Sequence, residues 1–257
     1  MWGYTLPMSQ KYIIGNWKLN PKNEKEAVAI FTKIKKDLSL LKYKVIICPP
    51  SIFIPALSKI KTTNITLGLQ NTAIEDTGAY TGQVSVGTAL SYKIKYCIVG
   101  HSESRANGDT DERVAKKVGY ILKSKITPIL CVGERERDEA HTYFAFIENQ
   151  LKSALLGISK KNIESMIIAY EPIWAIGRDA VRDATPEEFY EVKIFIKKVL
   201  KESFGVSVVP ILYGGSVTAK NAESFMTAGH ADGLLVGRAS VDPKSLQSIS
   251  SITKNTK

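Results

Sequence analysis

Residues 169–188 read AYEPIWAIGRDAVRDATPEE. An apolar lead ends on one carboxylate, Glu171, and is followed by a proline, a tryptophan and a glycine before charge returns in RDAVRD. The stretch closes on TPEE, where Thr185 can cap a helix, Pro186 suits its first position and Glu188 can complete a capping box. Phe189, Val192, Ile196 and Leu200 then recur at helical spacing. These residues spell one unit: a buried strand, a loop at its carboxyl end and an amphipathic helix.

The same unit repeats along the chain. Apolar, β-branched runs start at Tyr12 (YIIGNW), Val45 (VIICPP), Ile65 (ITLGLQ), Tyr96 (YCIVGH), Pro128 (PILCVGE), Met166 (MIIAYE), Val208 (VVPILYGG) and Gly233 (GLLVGR). They are continuous rather than alternating, as strands buried on both faces of a parallel sheet read. Between them lie helical patterns, such as Ala27, Ile30, Phe31, Ile34 and Leu38 on one face. Eight strand–helix units joined by right-handed crossovers favour closure into a barrel over an open sheet. The expected fold is α/β, a single eight-stranded parallel β/α barrel over residues 11–257. Met8 offers a second start, so residues 1–10 are read as an extension outside the fold.

Composition narrows the class. With 44% hydrophobic and 23% charged residues among 257, the chain has the profile of a folded globular domain. No apolar run reaches the roughly 18 residues of a membrane span, and the first residues lack a basic-then-apolar leader. Cys48, Cys97 and Cys131 are odd in number and sit in strand-like runs without a histidine or cationic cluster beside them. They are read as reduced core residues, and the expected compartment is the cytoplasm. The formal charge of +10 raises the prospect of a nucleic-acid partner or of a small anionic substrate. Lysines scattered along helical faces, with only 7 arginines, argue for the second. No nucleic acid and no membrane partner is expected.

In a β/α barrel the active site lies at the carboxyl ends of the strands. Those ends supply Asn16 and Lys18 after the first, His101 and Glu103 after the fourth, Glu171 after the sixth, Ser216 after the seventh and Gly237 after the eighth. A cation, an imidazole and a carboxylate thus meet glycine-rich turns, where barrels hold phosphate on backbone N–H groups. The set suits proton transfer on a small phosphorylated molecule. Taken singly, a strand-end glutamate is more often structural; its company decides the reading. His141 and His230 fall in helix-like or turn contexts and are read as surface residues.

GNWKLN, GAYTGQVS, VGHSES, CVGE, AYEPIWAIG, YGGSV and GLLVG, in this order from Tyr12 to Asp242, together resemble the triosephosphate isomerases. The resemblance implies interconversion of dihydroxyacetone phosphate and D-glyceraldehyde 3-phosphate through an enediolate, in glycolysis and gluconeogenesis, with neither cofactor nor metal. Glu171 would be the base and His101 a neutral electrophile moving protons between the enediol oxygens. Lys18 would offset the developing charge, Asn16 would position substrate oxygens and Glu103 would complete the polar network. Asn16 and Lys18 would also bind the substrate, and its phosphate would rest on backbone groups at Gly177, Ser216, Gly237 and Arg238 and on the Ser216 hydroxyl, beneath a closing lid. The resemblance also implies a homodimer in which the loop from Thr77 to Gln83 reaches the neighbouring subunit and Thr81 approaches its active site.

The chain departs from the family pattern at four places. Gln83 stands where glutamate is usual, Ser104 where arginine is, Arg238 where glycine is, and the lid carries two extra residues after Gly177. Gln83 and Ser104 both replace charges, which is close to neutral where losing one partner alone would be costly. Residues 178–181, among which the two extra ones lie, are expected to bulge outward while Arg182, Asp183 and Ala184 form the second hinge. An alternative function is a phosphate-binding barrel without turnover, acting as a binding protein; the intact Asn16, Lys18, His101 and Glu171 weigh against it.

Overall fold

The computed structural model describes residues 10–38, 43–177 and 180–252. Residues 1–9, with Met8, and Arg178 and Asp179 of the lid lie outside the described residues. The eight strands are β1 (Tyr12–Asn16), β2 (Lys44–Cys48), β3 (Ile65–Leu69), β4 (Tyr96–Val99), β5 (Thr127–Val132), β6 (Ile167–Tyr170), β7 (Ile211–Tyr213) and β8 (Gly233–Val236). They pair in chain order and all in parallel, and β1 closes on β8 with Tyr12 opposite Gly233. The helices are α1 (Glu24–Leu38), α2 (Ile54–Leu57), α3 (Val86–Leu90), α4 (Ser102–Ala106), α5 (Asp111–Lys123), α6 (Tyr143–Leu155), α7 (Lys160–Glu164), α8 (Pro186–Phe204), α9 (Ala222–Thr227) and α10 (Pro243–Ile252).

The continuous apolar runs have a direct cause. One set of strand residues, including Ile14, Ile46, Ile98, Ile129, Leu212 and Leu235, fills the barrel's interior. Their neighbours Ile13, Val45, Ile47, Leu130, Ile168 and Ile211 face outward and pack on the helices with Phe31, Val118, Leu151 and Phe189. Each fully buried aliphatic side chain contributes about 1.5–3 kcal/mol relative to exposure, so neither face tolerates a polar residue cheaply. Of the apolar face foreseen for α1, Ala27, Phe31, Ile34 and Leu38 are buried and Ile30 is half-buried.

Helix α8 starts as TPEE foretells. Thr185 Oγ1 accepts the Glu188 N–H at 3.2 Å and Glu188 Oε2 accepts the Thr185 N–H at 2.8 Å. Such caps typically contribute about 1 kcal/mol and fix where the lid ends. The seventh run, in contrast, begins at Val208, yet β7 starts only at Ile211. Val208 is 76% exposed, and Pro210 has no N–H to give a ladder, although its carbonyl still accepts from Ile168. All three cysteines are buried and free, and burial pushes their thiols up, consistent with inert core residues.

Candidate active site

Asn16, Lys18, His101, Glu171 and Gly237 line one cleft at the carboxyl end of the barrel, with Ile176 of the lid and Gly214 and Gly215 completing it. Lys18 leaves β1 in a left-handed conformation, with φ of 51°. That backbone is uncommon for a side-chain-bearing residue and is held from both sides. The Lys18 N–H donates to Asn16 Oδ1 at 3.0 Å, and Gln70 Nε2 donates to the Lys18 carbonyl at 2.9 Å. The turn aims Lys18 Nζ across the cleft to Glu103 Oε1, 2.6 Å away.

His101 is buried where β4 passes into α4 and is itself the N-cap of that helix. The sequence places capping-type residues here, but the cap is the imidazole rather than a serine. Its Nδ1 accepts the Glu103 N–H at 3.2 Å, a contact made by a ring lone pair. The hydrogen therefore sits on Nε2, which stands 2.9 Å from Glu171 Oε1. Burial is the largest single influence and disfavours the charged ring, but the charge and hydrogen bond of the Glu171 carboxylate, with the Glu103 charge beyond it, together leave the ring above the ordinary imidazole value. That upward pull lasts only while Glu171 lies against the ring, and the Glu103 N–H keeps Nδ1 as an acceptor.

Glu171 is buried and fully engaged. Its second oxygen accepts the Ser102 N–H at 2.9 Å, and its own N–H donates to the Val132 carbonyl at 2.8 Å. The free space of the cleft is about 30 Å³, a tight opening.

The remaining expected residues lie around this cleft. Gly177 turns at the lid tip with φ of 86°, a conformation that glycine adopts without penalty. The Ser216 hydroxyl, expected on phosphate, donates here to the Ala175 carbonyl of the lid at 2.9 Å. Gly237 approaches the Lys18 stem, and Arg238 opens a short turn with its side chain exposed. His141 and His230 are exposed, as read from the sequence.

Sequence reasoning misses the support beneath the lid. Glu134, at the end of β5, is buried and accepts from Tyr170 Oη at 2.7 Å, Trp174 Nε1 at 2.7 Å and Arg137 Nε at 3.2 Å. Glu134 and Arg137 are three residues apart just past a strand end, and that spacing is the available signal. Arg182, read only as part of a hinge, places its guanidinium 4.5 Å from the centre of the Trp174 ring. The neighbourhood of Ser104 is not uncharged either: buried Lys117 binds Asp109 at 2.6 Å and Asn71 Oδ1 at 2.9 Å, and Asn71 Nδ2 donates to Ser104 Oγ at 3.3 Å.

A family model described as triosephosphate isomerase matches residues 11–253. Triosephosphate isomerase of Alkaliphilus oremlandii is 39% identical over 240 residues, covering 91% of this chain and 96% of that protein. The enzyme of the same name from Clostridium botulinum (strain Okra / Type B1) is 39% identical over 248 residues, 94% of this chain and 99% of its own length. That of Aquifex aeolicus is 39% identical over 247 residues, 93% and 98% respectively. None of the helices among the described residues is long and apolar enough to cross a membrane. With a closed parallel barrel and a match along nearly its whole length, the chain belongs to the triosephosphate isomerase family and is an isomerase.

Proposed function

We propose that this isomerase interconverts dihydroxyacetone phosphate and D-glyceraldehyde 3-phosphate with Glu171 as its base. The observation that carries the assignment is the pairing of Glu171 with His101 Nε2 at 2.9 Å while Nδ1 accepts a helix N–H. A carboxylate removes a proton beside a carbonyl only if the enediolate is stabilised as it forms. Glu171 takes the carbon-bound proton, and the bonding pair moves into the new carbon–carbon double bond. His101 Nε2–H protonates the oxygen on which charge grows and then takes the proton of the neighbouring hydroxyl, so the carbonyl can form at the other carbon, while Lys18 Nζ offsets the charge and Asn16 positions the oxygens. The proton then returns from Glu171 to the adjacent carbon, so nothing is consumed and no cofactor or metal is called for. Glu103, bound to Lys18 at 2.6 Å, holds the ammonium in place.

Phosphate is assigned to the backbone around Gly177, Ser216, Gly237 and Arg238. For the Ser216 hydroxyl to join, it must release the Ala175 carbonyl, which couples phosphate binding to lid movement. Lid closure excludes water and strengthens every charge interaction within. Turnover of D-glyceraldehyde 3-phosphate by the purified chain tests the reading, and a protein that binds phosphate without turnover would favour the binding-protein alternative.

The working form is read as a homodimer in the cytoplasm, with residues 11–257 as one domain. The segment 75–83 stands out from the barrel with most residues exposed, while its base is tied by Ala73 N–H to the Val84 carbonyl at 2.8 Å. Leu19 and Ile52, 93% and 77% exposed, lie on loops after β1 and β2. Large exposed apolar side chains beside a protruding loop are what a partner subunit would cover. Beside them a polar cavity of about 380 Å³, lined by Gln70, Asn71, Gln83, Ser104 and Lys117 among others, offers the room for an incoming loop carrying Thr81.

A further inference from the structure

The lid carries a contact that its sequence pattern does not announce. The Arg182 guanidinium stacks 4.5 Å from the centre of the Trp174 ring. On its other side it forms a forked pair with Glu188, Nη1 to Oε2 at 3.0 Å and Nη2 to Oε1 at 2.5 Å. Glu188 is fixed in turn, because its Oε2 also accepts the Thr185 N–H in the α8 capping box. Trp174 is pinned from beneath by Glu134 and along the backbone by Val181 N–H on its carbonyl at 2.8 Å. The start of the lid is thereby bolted to the start of α8 through Arg182, with Arg137 alongside, its guanidinium 5.5 Å from the centre of the Trp174 ring and 3.8 Å from Glu188 Oε1.

We infer that Arg182 is a positioning residue of this isomerase: with Glu188 it forms a latch on Trp174 that sets how readily the lid leaves its resting position. The inference rests on the reading of residues 172–184 as the lid of the Glu171 site. A guanidinium suits the task, since its planar fork matches the carboxylate while its face covers the indole. Lysine would keep the charge but neither the fork nor the planar stack. Glu188→Gln would keep an oxygen for the Thr185 N–H, so α8 stays capped, while the forked ion pair is lost.

The test follows the Trp174 indole N–H by relaxation dispersion in ¹⁵N-tryptophan-labelled full-length protein, its signal assigned with Trp174→Phe, with inorganic phosphate as the probe ligand. Arg182→Ala is expected to raise the lid exchange rate about two- to tenfold, the scale of one exposed stacking contact with part of a forked pair. Arg182→Lys should match Arg182→Ala, Glu188→Gln should fall in the same range, and the double variant should exceed neither single one by more than twofold. The dissociation rate of phosphate should rise in step, with kcat for D-glyceraldehyde 3-phosphate changing less than KM. Unchanged exchange in Arg182→Ala, wild-type behaviour of Arg182→Lys, or effects that multiply in the double variant would overturn the latch. The exchange measurement needs no turnover, so it stands apart from the assignment of the base: an active Glu171→Gln enzyme would sink that assignment and leave the dispersion result intact.

Discussion

The backbone of Gly133 packs directly on that of Glu171: a Cβ at position 133 would overlap the Glu171 carbonyl oxygen. Glycine at the end of β5 therefore lets β6 deliver its glutamate to the cleft, and the Gly133 N–H is anchored to Gln150 Oε1 at 2.8 Å. Gly133→Ala must push Glu171 aside. A displacement near 1 Å at the reacting groups costs on the order of 10² in rate, and overpacking costs about 1–3 kcal/mol of stability. Steady-state kinetics beside chemical denaturation should show both losses, with the rate loss persisting in the folded fraction.

The latch pair gives a pH signature. Arg182, more than any other group, holds the Glu188 carboxyl below the usual carboxylate range. A depressed folded-state value contributes stability above the unfolded value of about 4.3 and loses it as pH falls through the folded value. Wild type should thus exceed Glu188→Gln in stability at pH 6–7, and the difference should vanish as pH drops below about 4. Because the Arg182 side chain is half-exposed and the pair is screened by solvent, the difference should stay under about 1 kcal/mol. Thermal midpoints measured across this range check both its size and its sign.

Much of the fold is legible because its signals are local. Ile13–Ile14 and Ile46–Ile47 are adjacent apolar pairs since one residue of each faces the barrel interior and its neighbour the helices. Thr185, Pro186 and Glu188 announce α8 within four positions. The start of β7 is obscured because Val208 looks like strand yet points to solvent. Likewise Asn16, Lys18, His101 and Glu171 are readable as polar residues at strand ends. What stays hidden is pairing at long range: Glu134 with Trp174, or His101 capping its own helix through Nδ1 rather than leaving that task to a serine. Arg182 falls in a charged loop, where a charge usually means only a solvated surface, and nothing in its neighbours points back to Trp174.

The exposed Leu19 gives the assembly its sharpest test. Leu19→Glu places a charge where a subunit contact would bury it, and should weaken a homodimer at least tenfold, or about 1.4 kcal/mol. Sedimentation at micromolar concentration should find a wild-type dimer and a shift toward monomer in the variant, with activity falling alongside as Thr81 withdraws from the partner's site. A wild-type monomer with full turnover would refute the assembly.

The most direct measurement is the turnover of D-glyceraldehyde 3-phosphate by Glu171→Gln beside wild type. Glutamine preserves volume and can still accept the Ser102 N–H, but it cannot take a proton from carbon. The variant should keep the wild-type circular dichroism spectrum and bind inorganic phosphate within about threefold, with kcat down by at least about 10², the usual contribution of a general base. A folded, phosphate-binding Glu171→Gln enzyme with turnover near that of wild type would contradict the account at its centre.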